Sequence, residues 1–432
     1  VKKNKIMQSA PSFRLKPAQA NLVKIAFFVM VAVYLLDCFT PLRLHYDSVR
    51  YYLIKDCLEF GCPPDSAAAK DYFPIGYTAL LLVLSKLGIL KSFSIVLINS
   101  VYLLASLYFL YQTFEGRIPK FLFFFVVMIN WLFVKFATHP LSEMQYLFFS
   151  LASVLLFHRF LKNKKILSLI FSLFFGWLAF MTRTVGVTLV GALAVGLIWE
   201  YRVQQLEFLK RNKFVVGAIL LVLVGSLIVF SKFLGLNHYW DVLNEHLKEA
   251  SFFKRVGWRF KEWGEIFINA PSNKVIDRLA GEMGRLLYMA IGLLIFCWFL
   301  CRVFLRKNQF PFFIKAYFIF YCIIMFNWPF NDPRFWVPIM PIILGYTIQC
   351  WYEEKNKLIR NLFLALFAVY VALGVFASGY MVYTSFNKKV FAKTQAKGEF
   401  RNEYETHFYG KPLSDTARVV DQDVLSVLKR YD

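Results

Sequence analysis

Four separated stretches of this 432-residue chain carry the side chains that could do chemistry. The first is His45-Tyr46-Asp47-Ser48-Val49-Arg50-Tyr51-Tyr52, which places an acid, two bases and three tyrosines directly after the first hydrophobic segment. A carboxylate just past the end of a membrane helix is partly desolvated, which raises its pKa and lets it take a proton from an incoming hydroxyl or amine. Asp47 would also serve, more simply, as the N-cap of a helix that starts at Ser48. His45, Arg50, Tyr51 and Tyr52 stand where they would line a substrate.

Two arginines sit between apolar segments with almost no linker. Arg183 lies in Met181-Thr182-Arg183-Thr184, and Arg334 in Asn331-Asp332-Pro333-Arg334-Phe335-Trp336. Arginines at helix ends commonly snorkel to lipid headgroups. Two on one face suit an anionic ligand, because guanidinium forks match phosphate oxygens and the turn after Pro333 can add helix N-terminal amides. The fourth stretch, Thr138-His139-Pro140-Leu141-Ser142-Glu143, reads as an ordinary helix start with Pro in the first turn and Glu in the dipole-favoured position. Its functional reading makes Glu143 a second carboxylate that helps hold an acceptor or, with Asp47 and His139, a divalent ion such as Mg, Mn or Ca. One His and two acids do not specify a metal site by themselves.

These residues need a scaffold, and composition names its class. With 58% hydrophobic residues and a mean hydropathy of +0.51, the chain cannot be divided into a buried core and a wetted surface. It reads as an all-α polytopic membrane protein. Apolar spans fall near residues 22–40, 93–113, 119–137, 141–160, 166–182, 184–200, 213–234, 285–305, 311–330, 335–352 and 359–384, each long enough for about 30 Å of hydrocarbon. The stretch 74–90 is ambiguous. If it crossed, the basic connectors at 161–165 and 201–213 would fall outside, against the positive-inside tendency. It is therefore expected to lie in the interface or to re-enter. The basic N-terminus is then cytoplasmic and reads as a retained anchor, and the outer face receives loops 41–92 and 235–284, the short turns at 138–143, 182–184 and 331–334, and the tail from residue 385.

The net charge of +23 is spread over short connectors, so it reads as topology signal and contact with membrane lipids, not as a nucleic-acid face. The seven cysteines show no metal-ligand spacing. Cys57 and Cys62 share one outer loop and are the pair that could form a disulfide. Loop 235–284 carries Trp240, Trp258 and Trp263 among charges, as expected of helices at headgroup level. Residues 1–384 are expected to form the membrane domain and 385–432 a short outer tail with little apolar periodicity and one short helix at Asp421–Leu428. Residue usage is compatible with a bacterial plasma membrane.

The order of these features resembles the GT-C superfamily of integral membrane glycosyltransferases, which includes the protein O-mannosyltransferases and the lipid A aminoarabinose transferases. The resemblance runs over roughly residues 20–350. It rests on the first-loop acid followed by Tyr51-Tyr52, on Phe73-Pro74-Ile75-Gly76-Tyr77, on the Pro-Leu-x-Glu helix start, on Ala179-Phe180-Met181-Thr182-Arg183-Thr184-Val185-Gly186, and on Pro333-Arg334-Phe335-Trp336-Val337-Pro338-Ile339-Met340-Pro341. It implies a GT-C-like bundle of about 11–13 membrane helices, a polyprenyl-phosphate sugar donor, and a glycan, lipid or protein acceptor. It implies that Asp47 is the catalytic or metal-associated carboxylate and that Arg334 lies near the lipid phosphate. Many mannosyltransferase relatives have an Asp-Glu pair where this chain has Asp47-Ser48, and the large soluble C-terminal domain of some relatives is absent.

On that reading Arg334 and Arg183 hold the phosphate, Asp47 deprotonates the acceptor with inversion at the anomeric carbon, and Tyr77, Trp328, Trp336 and Asp332 line the site or the lipid groove. Three other classes compete. A lipid-linked glycan polymerase or ligase would share the multi-spanning plan and outer arginines. A transporter would need charged or broken helices at mid-membrane. A scaffold would not explain polar clusters confined to one face.

Overall fold

The computed structural model describes residues 16–202, 244–272, 281–305, 310–394, 400–413 and 418–432, and among these it is helical without strands. The expected span at 213–234 and Trp240 lie outside the described residues. Five helices are long and apolar enough to cross a membrane: α1 (Pro17–Asp37), α4 (Ser92–Thr113), α7 (Glu143–Asn163), α11 (Gly281–Leu305) and α14 (Lys357–Phe386). Leu22, Ile25, Phe28, Leu286, Leu294, Leu362 and Phe376 stand exposed along them, which suits lipid and not water.

Shorter helices complete the bundle. They are α2 (Tyr46–Phe60), α3 (Ile75–Lys86), α5 (Lys120–Met128), α6 (Trp131–Phe136), α8 (Ile166–Thr182), α9 (Val187–Glu200), α10 (Phe252–Ile268), α12 (Phe312–Asn327) and α13 (Met340–Tyr352). The twelve residues of α3 rise about 18 Å, well short of the hydrocarbon thickness, so this helix does not cross alone.

Two expected spans are broken. Residues 119–137 form α5 and α6, interrupted at Asn130, whose side chain accepts from Leu132 N–H at 3.1 Å and donates to the Ile266 carbonyl at 2.9 Å. Asn269, just past α10, accepts from Trp131 N–H at 2.7 Å and donates to the Tyr370 carbonyl at 2.8 Å. Two asparagine side chains thus satisfy backbone groups that the break exposes in an apolar interior, where none can be left unpaired cheaply. Residues 335–352 likewise begin with a 3-10 turn, Pro333–Trp336, before α13.

Within loop 235–284, helix α10 is packed into the bundle on one face. Trp258 is half-buried, but Trp263 is fully buried, and Gly264 and Gly292 bring α10 and α11 so close that a Cβ at either would run into the opposite backbone at 2.1 and 1.8 Å. The tail is also more ordered than its sequence suggests. It folds as α15 (Lys388–Thr394), α16 (Arg401–Tyr409) and α17 (Gln422–Tyr431). Its Phe391, Tyr404, Val424, Leu428 and Tyr431 share a second apolar core with Leu42, Leu44, Tyr52 and Leu81 of the first loop. The cysteine pair that could form a disulfide is joined, Cys57 to Cys62 with Cα atoms 4.8 Å apart, across the end of α2 at Gly61 (φ 82°).

Candidate functional site

The site gathers at four helix ends. Helix α2 begins at Tyr46, and its cap is His45: Asp47 N–H donates to His45 Nδ1 at 3.3 Å, and His45 N–H donates back to Ser48 Oγ at 3.2 Å. Asp47 is therefore not the N-cap considered from sequence. Its carboxylate turns instead to Arg334, which donates to Oδ2. Arg334 is 5% exposed and has two further acids beside it, Asp332 Oδ2 at 2.9 Å from Nε and Glu143 Oε1 at 3.9 Å from Nη1.

Arg183 reaches the same oxygen of Glu143. Its guanidinium pairs with Glu143 Oε1 and donates to Ser142 Oγ at 3.3 Å. The turn that presents it is tight because Gly186 lies on the Phe180 backbone, where a Cβ would meet Phe180 Cα at 2.6 Å. Gly76 packs equally closely on the carbonyl of Met181, and Gln145 donates to the Gly76 carbonyl at 3.2 Å, so α3, α7 and α8 fix one another around Arg183. Phe335 lies under both cations, its ring centroid 4.8 Å from Arg334 Cζ and 5.7 Å from Arg183 Cζ. Tyr51 donates to Ser142 Oγ at 3.0 Å, and Tyr77 stands edge-on to Tyr51 with centroids 4.9 Å apart.

Exposure divides these groups into a mouth and a floor. The side chains of Asp47, His45 and Asp332 keep 24%, 30% and 26% of their surface, whereas Arg334 and Glu143 keep 6% and 1%. A ligand would meet the carboxylates and the imidazole first and the guanidiniums beneath them.

The electrostatics reverse one expectation. Burial pushes the Asp47 carboxyl up, but Arg334, His45 and Arg50 together outweigh it and leave Asp47 below the ordinary carboxylate range. His45 is pushed down to about 4, by burial first and by Arg334 second, so it is neutral near pH 7. With Nδ1 accepting from Asp47 N–H, the proton of the neutral ring lies on Nε2, 4.0 Å from Asp332 Oδ2.

Other residues singled out from sequence go elsewhere. Arg50 makes a two-pronged pair with Asp71, at 2.8 Å for both contacts, and lies 3.7 Å over the Phe73 ring, so it braces the first loop. Tyr52 stacks on Tyr431 at 4.8 Å and belongs to the junction with the tail. Trp336 is fully buried and Trp328 half-buried. Asp47, Glu143 and His139 do not form a metal-ligand set. His139 Nδ1 is engaged by the Lys135 carbonyl at 2.8 Å, both carboxylates are held by arginines, and among the described residues no three His, Cys, Asp or Glu side chains lie grouped to hold a metal ion.

Sequence reading missed three charged residues. Lys135, at the end of α6, adds positive potential at His45 and His139. Arg259 and Glu262 of α10 lie fully buried behind Asp332–Trp336, 3.1 Å apart. Their i, i+3 spacing beside Trp263 was the available signal, and it resembles that of any charged interfacial helix. No protein-family model, curated protein or solved structure matches the chain.

Proposed function

We propose that this chain is a membrane glycosyltransferase that moves a sugar from a polyprenyl-phosphate donor to an acceptor at the extracytoplasmic face. One observation carries the reading: Asp47, Glu143, Arg183 and Arg334, which lie far apart in sequence, meet in one partly open cluster of ion pairs. A partly exposed carboxylate beside guanidiniums supplies a base and a phosphate-binding charge, as a displacement at an anomeric carbon with a phosphate leaving group would use. In the step, the acceptor O–H or N–H gives its proton to Asp47 while its lone pair forms the bond to the anomeric carbon. The bond from that carbon to the phosphate oxygen breaks, its electron pair goes to the phosphate, and the anomeric centre inverts.

The Asp47–Arg334 pair adds a coupling to this scheme. Paired, Asp47 is a weak base because the guanidinium stabilises its charge. A donor phosphate that draws Arg334 toward itself loosens that pairing and makes the carboxylate more basic once the leaving group is seated.

The experiment is release of radiolabel from a panel of polyprenyl-phosphate sugars by purified wild type, Asp47→Asn and Arg334→Ala. Release by wild type and not by Asp47→Asn supports the transferase. Release from no donor, or release indifferent to Asp47, overturns it in favour of a glycan polymerase or a transporter.

A further inference from the structure

Helix α10 lies behind the turn that displays Asp332 and Arg334, and there it carries a fully buried ion pair. Arg259 Nη2 and Glu262 Oε1 are 3.1 Å apart with no exposed surface on either side chain. Enclosing such a pair is costly, and apolar residues of similar volume would often serve stability equally well or better. What the pair provides instead is anchorage. Arg259 Nη2 donates to the Phe330 carbonyl at 2.6 Å, and Glu262 Oε2 accepts from Trp336 Nε1 at 2.8 Å. Phe330 and Trp336 are the two ends of the turn that displays Asp332 and Arg334.

We propose that Arg259 and Glu262 are positioning residues that fix both ends of the 330–336 turn and thereby set Arg334 against Asp47, an inference whose catalytic part rests on the transferase reading above. The turn has internal order of its own, since Asp332 Oδ1 accepts from Arg334 N–H at 3.0 Å, and Tyr321 of α12 ties its later end by donating to the Phe335 carbonyl. These bonds shape the turn and hold that end, but they do not hold the end at Phe330. Helix α10 can attach it because its own place is fixed by the Gly264 and Gly292 contacts with α11 and by the Asn269 bonds to Trp131 and Tyr370. Asp332 sits close enough to both buried charges for each to feel its field, so the pair and the turn form one electrostatic unit.

The test compares Glu262→Ala, Glu262→Gln and Trp336→Phe with wild type, using two readouts. The first is hydrogen exchange across residues 330–337, which does not depend on turnover. Glu262→Ala is expected to raise exchange there at least about tenfold, since a local opening made easier by 1.4 kcal/mol gives that factor, and to leave α7 and α8 unchanged. Trp336→Phe removes the same bond from the other partner and gives the same local change if Glu262→Ala fails to fold. Glu262→Gln keeps an oxygen for the indole and stays closer to wild type than the alanine variant. Exchange unchanged in both Glu262→Ala and Trp336→Phe overturns the proposal whatever the enzyme does.

The second readout is the split of KM against kcat for the donor, with the acid limb of kcat/KM. Loosened placement of Arg334 raises donor KM about tenfold and moves the acid limb upward, whereas a purely structural role lowers thermal stability and moves neither. Increased local exchange with donor KM and acid limb both unchanged overturns the positioning role. If wild type itself uses no donor while local exchange still rises in the variants, the transferase reading falls and the bracing of the turn stands.

Discussion

Asp47 and Arg334 are 287 residues apart in the chain and joined by a direct hydrogen bond between carboxylate and guanidinium. The pair connects the first loop to the turn before α13, two elements that have no covalent reason to meet. Removing Arg334 leaves a partly buried Asp47 carboxylate without its main partner, whereas Arg334 without Asp47 keeps Asp332, so substitutions here are best read with a variant that keeps a hydrogen-bonding oxygen.

The acid limb of activity should follow this pair. Asp47 is held below the ordinary carboxylate range, and kcat/KM should therefore stay high as pH falls through that range in wild type. In Arg334→Ala the burial that raises the carboxyl pKa remains and the largest opposing charge is gone. The limb should move upward in pH. A limb that stays in place would show that Asp47 is not the group whose ionisation the reaction needs.

His45 predicts a pH-dependent stability. Its pKa falls from the ordinary 6.5 to about 4 on folding, so the fold favours the neutral ring. That contribution is complete above pH 6.5 and is lost as pH falls toward 4. His45→Asn keeps a cap acceptor for the Asp47 N–H and removes the titration. Melting temperatures measured from pH 7 to pH 4 should fall less steeply for His45→Asn than for wild type, and parallel curves would refute the assignment.

Packing at Gly76 predicts a loss of function at a distance. A Cβ there would lie 2.6 Å from the Met181 carbonyl oxygen, a backbone atom that cannot swing aside. Gly76→Ala should displace the end of α8 and with it Arg183, lowering transfer about 10²-fold, as a misplacement of about 1 Å does, while the protein still purifies as a folded species. Activity within twofold of wild type would show that Arg183 tolerates this movement.

Thiol counting tests which side of the membrane the first loop occupies. With Cys57 and Cys62 joined, five of the seven cysteines are free. Protein purified from membranes without reductant or thiol-blocking reagent should titrate five thiols when denatured and seven after reduction, as an oxidising compartment produces. Seven before reduction would place the loop on the reducing side and invert the topology.

Much of this site was legible in the sequence because its members lie at the ends of apolar segments. Asp47, Glu143, Arg183 and Arg334 stand out where hydrophobic runs stop, and hydropathy alone orders them. Arg259 and Glu262 did not stand out, because a charged amphipathic helix reads the same whether its polar face meets headgroups or a buried turn. The break at Asn130 was equally hidden, since the partners that satisfy it, Ile266, Tyr370 and Asn269, are more than a hundred residues away. The direction of the Asp47 pKa was misjudged for a related reason. Burial was readable locally, and the guanidinium that overrides it was not.

The contact between the first loop and residues 400–432 has a consequence for biogenesis. Tyr404 bonds the Leu42 carbonyl at 2.6 Å and the Leu44 N–H at 2.8 Å, and Asp432 accepts from Leu42 N–H at 2.5 Å, so the strand of chain leading into Asp47 is pinned by partners 360 to 390 residues later. At about 5–20 residues per second of synthesis, those partners emerge roughly 20 to 80 seconds after the segment they hold. Through that interval Asp47 has left the ribosome and entered its compartment without its final geometry. A nascent chain arrested before residue 400 would carry every residue of the site and still lack the clasp that seats the first of them, which delays competence until Tyr404 and Asp432 have emerged.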